Sequence, residues 1–423
     1  MARDYRALLA RLDGLRFRGV DLGLHRIRAV LARLGAPEHG MRFVQIAGTN
    51  GKGSTAAMLH RILATAGYRT ALYVSPHLVS FTERIRVGDR EISENEVVEL
   101  AERVKAQTGE AGIPLTFFEF VTVMALVYFA EHKVDVAVVE VGLGGRLDAT
   151  NLVLPCVSVI TTISKDHEAY LGSDLLSIAR EKGGIIEDGV PLVYGDLVPE
   201  VATLLEEMAR AKDSRAYRLG RDFSVALKDE GLFEYGGIEW KLKNLPLALR
   251  GRHQRNNAAV ALAALEVAKE DFPVTEAAIR RGLETVSWPG RLEIIMEQPR
   301  VILDGAHNGE GIKALVEAIR SFLGAKKVRL LFASMADKDW RLMLKELSAV
   351  ADEIVLTRVS MERSADPGKM AEAVKGLPTT VIDDPRRALR SLLDRAAPDD
   401  AILVTGSLYL LGEVRPVLVA PRT

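Results

Sequence analysis

A chain of 423 residues that is 48% hydrophobic and 27% charged carries enough apolar sequence for two or three packed domains. Its formal net charge of −1 gives no electrostatic reason to expect nucleic acid or an anionic membrane as a partner. The single cysteine, Cys156, excludes an internal disulfide framework, fits a reducing compartment and reads as an ordinary strand residue.

In chain order, Arg3, Arg6, Arg11, Arg16 and Arg18 break up the apolar residues at the start, so no secretory leader is read there. The first strong element is the apolar run Phe43-Val44-Gln45-Ile46. It is followed by Ala47-Gly-Thr-Asn-Gly-Lys-Gly-Ser-Thr55 and a helical pattern over 54–66. Strand, glycine turn and helix in that order suit a nucleoside triphosphate. Glycines let backbone amides approach phosphate oxygens, and the helix start adds positive partial charge. Lys52 is placed to neutralise phosphate charge, and Ser54 or Thr55 to reach Mg²⁺. The spacing departs from the common phosphate loop: Gly53 follows Lys52 where a hydroxyl residue is usual, and Ile46 occupies the earlier glycine position.

Further strands are expected at 70–74, 135–141 and 157–162, and helices at 94–107, 117–131 and 174–186. These strands show little alternation, as in a parallel sheet covered on both faces. The longest apolar stretch, near 121–130, is too short to span a bilayer, and a cytoplasmic protein is expected. Residues 215–245 read instead as a small antiparallel meander between glycines, followed by helices at 254–269 and 275–284. The breaker Pro289-Gly290 then separates a second alternation. Its strands are expected at 300–304, 328–333, 353–357, 379–382 and 401–405, with helices at 310–323, 340–349, 367–375 and 385–396. The fold class is therefore α/β: an N-terminal doubly wound, P-loop ATPase-like domain with a small antiparallel addition, and a C-terminal Rossmann-like domain.

Ligands of open α/β sheets sit at the carboxyl ends of strands. Glu140 ends one strand, where an acid holds Mg²⁺ in nucleotide enzymes, and His167 follows another in Ser164-Lys-Asp-His-Glu168. An imidazole in the set hints at a second divalent site that also accepts Mn²⁺. Lys182, near a helix end, and Ser75, in a turn, would be unremarked on their own. In the second alternation Asp304 and His307, Met335–Asp339 and Thr405–Ser407 all fall at strand ends, which argues for a second ligand surface.

Taken together, several motifs resemble folylpolyglutamate synthase/dihydrofolate synthase, a branch of the Mur ligase superfamily. They are Gly48–Ser54, Ser75-Pro-His-Leu78, Glu140-Val-Gly-Leu-Gly-Gly-Arg-Leu-Asp-Ala-Thr-Asn151, Asp166-His167, Glu181-Lys-Gly-Gly-Ile185, His253-Gln254 with Asn257-Ala-Ala259, Trp288-Pro-Gly-Arg-Leu-Glu293, Asp304-Gly-Ala-His-Asn308 and Val404-Thr-Gly-Ser-Leu-Tyr409. The variant phosphate loop is the form this family uses. The resemblance implies a 1–288 ATP-binding domain of the Mur ligase central type and a 289–423 glutamate-binding domain. It also implies a reaction: ATP phosphorylates a pterin carboxylate, and the amine of L-glutamate displaces phosphate to give dihydrofolate or a folate polyglutamate.

By the same resemblance, Lys52 and the amides of Asn50, Gly51, Gly53 and Ser54 hold the phosphates of ATP. Ser54, Ser75, Glu140 and His167 hold Mg²⁺, and Lys182 is carbamylated. Asn257, Arg291 and Asp304 hold the nucleotide, and His307 and Ser407 lie near glutamate. Asp21-Leu-Gly-Leu24, Thr116-Phe117-Phe118-Glu119 and Leu147-Asp148 contact the pterin. The family often has Pro after His-Asn, whereas Gly309 stands here. A cell-wall amino-acid ligase is the nearest rival, but the stretch before the phosphate loop leaves little room for its UDP-sugar domain. A nucleotide switch without ligase chemistry is the rival of another class. No interface signature is evident, so a monomer is expected.

Overall fold

The structure is a computed structural model, and it describes residues 2–16, 23–228, 231–323 and 327–419. The chain divides into two compact units: residues 1–77, 81–248 and 255–286, and residues 78–80, 249–254 and 287–423.

The first unit contains α1 (Ala2–Arg16), α2 (His25–Arg33), β1 (Arg42–Ala47), α3 (Lys52–Thr65), β2 (Thr70–Tyr73), β3 (Ile85–Val87), β4 (Arg90–Glu91), α4 (Glu94–Ala111), α5 (Phe117–Glu131) and β5 (Val136–Glu140). It continues with β6 (Pro155–Ile160), α6 (Glu168–Leu171), α7 (Leu175–Gly183), β7 (Leu192–Tyr194), α8 (Pro199–Arg210) and β8 (Ala216–Arg218). Then come β9 (Ser224–Leu227), β10 (Phe233–Gly236), β11 (Lys241–Leu245), most of α9 (Arg252–Val267) and α10 (Glu276–Thr285).

Eight strands form one sheet in the order β4-β3-β2-β5-β1-β6-β7-β8, parallel except at the β4-β3-β2 edge. β1 and β5 are buried along almost their whole length, which is why their sequences are continuously apolar. Each fully buried Val, Leu or Ile there contributes about 1.5–3 kcal/mol relative to exposure. The registers Ile46↔Glu140 and Ala47↔Ile160 bring the phosphate loop, Glu140 and the segment after β6 to one level of one edge. From β1 the chain crosses toward β2 on one side and from β6 to β7 on the other, so the loops after β1 and β6 diverge, as at the ligand crevice of an open α/β sheet.

α4 and α5 start where the sequence dictates. Ser93 with Glu96, and Thr116 with Glu119, form capping boxes that satisfy otherwise orphaned amides. β9, β10 and β11 form the antiparallel meander expected near 215–245. The carboxylate of Glu266 on α9 holds it. It accepts from Tyr235 Oη at 2.7 Å, Ile238 N at 3.1 Å and Trp240 N at 2.6 Å, and also from Glu239 N.

The second unit contains β12 (Glu293–Glu297), β13 (Arg300–Leu303), α11 (Gly309–Leu323), β14 (Val328–Phe332), α12 (Trp340–Leu347), β15 (Glu353–Leu356), α13 (Pro367–Ala373), β16 (Thr379–Val381), α14 (Pro385–Arg395), β17 (Ala401–Thr405) and α15 (Leu408–Val419). Its six strands run β12-β13-β17-β14-β15-β16, parallel apart from the β12 edge. Apolar clusters cover both faces, one around Leu330, Phe332 and Leu403, the other around Leu331, Val355 and Ile402.

The expected strands and helices all appear, most shifted by one to three residues at their ends. α1, α2, α6, α8, α15 and the short strands β3, β4, β7, β8 and β12 were not expected. The short strands are too brief for their periodicity to stand out, and hydrogen bonds to neighbouring strands define them.

Candidate active site

The loop after β1 turns through Gly51, whose φ of 88° is left-handed and suits glycine. A side chain there would also meet Asn257 Oδ1 at 2.4 Å, so α9 lies directly against the loop. α3 then begins at Lys52 with no capping side chain, as at a helix start that binds an anion. Ser54, in the first turn, is buried.

Lys52 Nζ donates to the carbonyls of Gly48 at 3.1 Å and Thr49 at 3.2 Å, and lies 3.9 Å from Glu140 Oε1. The Glu140 carboxylate is 5% exposed, and its Oε2 accepts the backbone N–H of Ser75 at 3.2 Å. The Ser75 turn and Glu140 are thus brought together beside Lys52. His167 is exposed, in the left-handed region at φ 53°, immediately after Asp166.

Lys182 is buried at the end of α7 and donates to Gly48 O at 2.8 Å. Burial, and then the nearby Lys52 charge, lower its pKa to about 7, against the opposing pull of Asp166 and Asp148. At neutral pH a large fraction of this amine is uncharged, which an ordinary lysine is not.

The stretches expected to meet a pterin have structural partners of their own. Glu119 completes the α5 capping box, with its Oε2 accepting Thr116 N at 2.8 Å. It also pairs with buried Arg26 of α2, whose Nε lies 3.1 Å from Oε1. Phe118 leans on Tyr73, ring centres 5.9 Å apart, and Phe117 lies under the Arg84 guanidinium at 5.4 Å. Asp148 accepts Leu143 N at 2.8 Å, Thr150 N at 3.0 Å and Thr150 Oγ1 at 2.6 Å, and burial raises its pKa. Leu147, beside it, is half-buried. Asp21 lies outside the described residues.

In the second unit Asp304 is buried after β13. Its carboxylate accepts Leu292 N and Ala306 N, each at 2.9 Å, which ties the Arg291–Leu292 turn to the strand end. Arg291 Nη1 reaches over Gly305, 2.8 Å from where a side-chain carbon would stand. His307 Nδ1 donates to Gly305 O at 2.8 Å. Ser407 is buried, and its Oγ accepts Tyr409 N at 3.2 Å at the start of α15. Gly309 is explained by close packing: a side chain there would stand 2.8 Å from Leu342 of α12.

Several polar residues of the first unit escaped the reading of the sequence: Arg26, Gln45, Thr161 and Thr162. Ser164 and Asn151 appeared only inside motifs. The legible signal was weak: consecutive hydroxyls at the end of a strand count only once that strand is known to neighbour β1.

Among the described residues no three His, Cys, Asp or Glu side chains form a metal-binding group. Glu140 offers carboxylate oxygens, which suit Mg²⁺, an ion that retains waters and substrate phosphates as ligands.

Sequence models of two families match the chain: the Mur ligase middle domain over residues 46–265, and the Mur ligase glutamate ligase domain over 290–408. The dihydrofolate synthase/folylpolyglutamate synthase of Bacillus subtilis is 36% identical over 410 residues, covering 94% of this chain and 95% of that protein. The structure of Escherichia coli FolC in complex with DHPP and ADP superposes with a TM-score of 0.92 at 35% identity, covering 99% of this chain and 98% of that one. A bifunctional folylpolyglutamate synthase/dihydrofolate synthase from Yersinia pestis, complexed with AMPPNP and Mn ion, gives 0.90 at 36% identity, covering 98% of each. Full-length likeness at this identity, with both Mur ligase domains in order, shows that the chain belongs to the folylpolyglutamate synthase/dihydrofolate synthase family of Mur ligases.

Proposed function

We propose that this protein is an ATP-dependent, ADP-forming ligase that joins L-glutamate to dihydropteroate, to folate polyglutamate chains, or to both. The observation that carries this reading is the convergence of Lys52 and Lys182 on Gly48 O, with the buried Glu140 carboxylate 3.9 Å from Lys52. It places the Lys52 ammonium at the start of α3, where a polyphosphate would sit, beside an acid suited to a divalent ion. The relatives' names and bound ligands agree with it.

A carboxylate is a poor acyl donor. Its oxygen attacks the γ-phosphorus of ATP, ADP leaves, and the carbonyl carbon then carries a phosphate leaving group. The glutamate amine attacks that carbon, phosphate departs, and the nitrogen loses a proton as the amide forms. The protein's share is positioning and charge neutralisation. Lys52, with the amides of Gly51, Gly53 and Ser54, holds phosphate oxygens. Ser54, Ser75, Glu140 and His167 would hold Mg²⁺, which would supply further neutralisation of the phosphates. The 1–288 region carries the nucleotide, with Asn257, and the 289–423 region carries glutamate near His307 and Ser407; Arg291 and Asp304 are nucleotide-binding residues of that second region. Leu147, Asp148, Phe117, Phe118 and Glu119 form or support the pterin pocket.

Lys182 is the residue for carbamylation. An uncharged, buried amine adds CO₂ readily, losing a proton, and the product would carry carbamate oxygens at the end of α7, beside Gly48. Intact-mass analysis at ambient CO₂ that finds no added carboxyl group would count against this assignment. A cytoplasmic monomer is part of the same reading. No helix among the described residues is long and apolar enough to cross a membrane.

The test is phosphate release from ATP with Mg²⁺ and L-glutamate, run with dihydropteroate, with tetrahydrofolate and with neither. Release stimulated by both pterins, with glutamylated product by mass spectrometry, establishes a bifunctional enzyme; stimulation by one assigns a single activity. Release indifferent to pterin and glutamate would favour a nucleotide switch and sink the ligase reading.

A further inference from the structure

The phosphate loop is braced from the strand beside it. Asn50 N donates to Thr162 Oγ1 at 2.9 Å. Asn50 O accepts from Thr161 Oγ1 at 2.7 Å and Thr162 Oγ1 at 3.2 Å. One residue earlier, Thr49 N donates to Thr162 O at 2.7 Å. Thr49 Oγ1 accepts Ser164 N at 3.0 Å and donates to Ser164 O at 3.2 Å. Thr161 stands so close that a side chain at Gly48 would meet its Oγ1 at 2.0 Å.

Two consequences follow. The peptide N–H of Asn50 is already bound to a hydroxyl, so the amides left for phosphate begin at Gly51. The loop, which lacks the usual earlier glycine and the usual hydroxyl after lysine, also takes its shape from outside itself. The hydroxyls come from the segment directly after β6, and that segment continues through Ser164 to Asp166 and His167.

We propose that Thr162 is a positioning residue for the nucleotide. Its hydroxyl latches the Asn50 peptide, fixes the direction of the Gly51–Ser54 amides, and joins the phosphate loop to the segment that carries His167. Thr49 and Ser164 form the second half of the latch. The inference rests on the ATP reading above and adds a residue that does not itself touch the nucleotide.

The experiment compares Thr162→Val, which keeps the shape and removes the hydroxyl, with Thr162→Ser, which keeps the hydroxyl. Calorimetric affinity for Mg-AMPPNP is the readout, so turnover is not required. The valine variant is expected to bind about tenfold more weakly than the native chain, and the serine variant within about threefold of it. An affinity ratio between the two of at least about three supports the latch, and a smaller ratio overturns it. Circular dichroism melting checks folding. Should Thr162→Val not fold, Thr49→Val against Thr49→Ser is judged by the same ratio. A small ratio in an enzyme that still ligates glutamate overturns the latch alone. A native chain that fails to bind Mg-AMPPNP overturns the latch together with the ATP reading.

Discussion

Lys52 and Lys182 donate to the same carbonyl oxygen, that of Gly48, at 3.1 and 2.8 Å. Burial first, and then the neighbouring Lys52 charge, makes Lys182 lose its proton more easily. The arrangement makes sense as one prepared for phosphate charge.

Lys182 consequently costs stability. Its pKa lies near 7 in the fold against 10.5 for the free side chain. Between those values the unfolded chain binds the extra proton, so stability is lost as pH falls from 10.5 to 7. Replacement by methionine is expected to abolish turnover yet stabilise the protein by ~2–4 kcal/mol at pH 7.5. Urea denaturation of both proteins at that pH decides it; a variant less stable than the native chain would mean that Lys182 is held as a favourable partner.

Lys52→Ala and Glu140→Ala are each expected to lower turnover at least ~100-fold, about 2.7 kcal/mol of transition-state stabilisation. The 3.9 Å separation of the two groups makes their effects non-additive. Steady-state kinetics of the single and double variants test this, and near-normal turnover in either single variant removes that residue from the site.

Asn151 holds the Leu147–Asp148 loop against the end of α7. Its Nδ2 donates to Arg146 O at 3.2 Å and Gly184 O at 3.0 Å, while Gln45 Nε2 approaches its Oδ1 at 3.4 Å. Asn151→Ala is expected to raise the KM for dihydropteroate by about tenfold, the equivalent of one or two lost hydrogen bonds. The KM for ATP should change much less. Equal increases in both constants would show that the loop is not specific to the pterin.

The Arg26–Glu119 pair is buried, 9% and 3% exposed, and links the starts of α2 and α5. Glu119→Ala leaves the guanidinium without this carboxylate, and ~3–5 kcal/mol of stability is expected to be lost. Chemical denaturation measures it. A loss well below 1 kcal/mol, with a raised pterin KM, would instead make Glu119 a substrate contact.

His60 lies buried in α3, with no hydrogen-bond partner for Nε2. Burial, followed by the charge of Arg86, lowers its pKa to about 4. The unfolded chain protonates this imidazole from pH 6.5 downward while the fold resists, so stability drops between pH 6.5 and 4 and levels below. At pH 4.5 the native chain should lose roughly 2–3 kcal/mol that a His60→Gln variant does not. Parallel unfolding curves at pH 7 and 4.5 would expose the absence of any such difference.

Much of this protein was legible in its residues. Continuous apolar runs such as Val136–Val139 can only be strands covered on both faces. Gly51, Lys52 and Ser54 in sequence after such a strand specify a phosphate loop, and Thr116-x-x-Glu119 specifies a helix start. These features depend on backbone geometry and local spacing, which travel with the sequence. What the sequence left open depends on which distant segments meet. Asn50 reads as a phosphate-binding amide until β6 is placed beside β1 and Thr162 takes that proton. Lys182 reads as a routine helix-end lysine until burial beside Lys52 removes its charge. Hydrogen-bond partners and local dielectric are properties of the assembled fold, so only the tertiary structure decided how these groups are used.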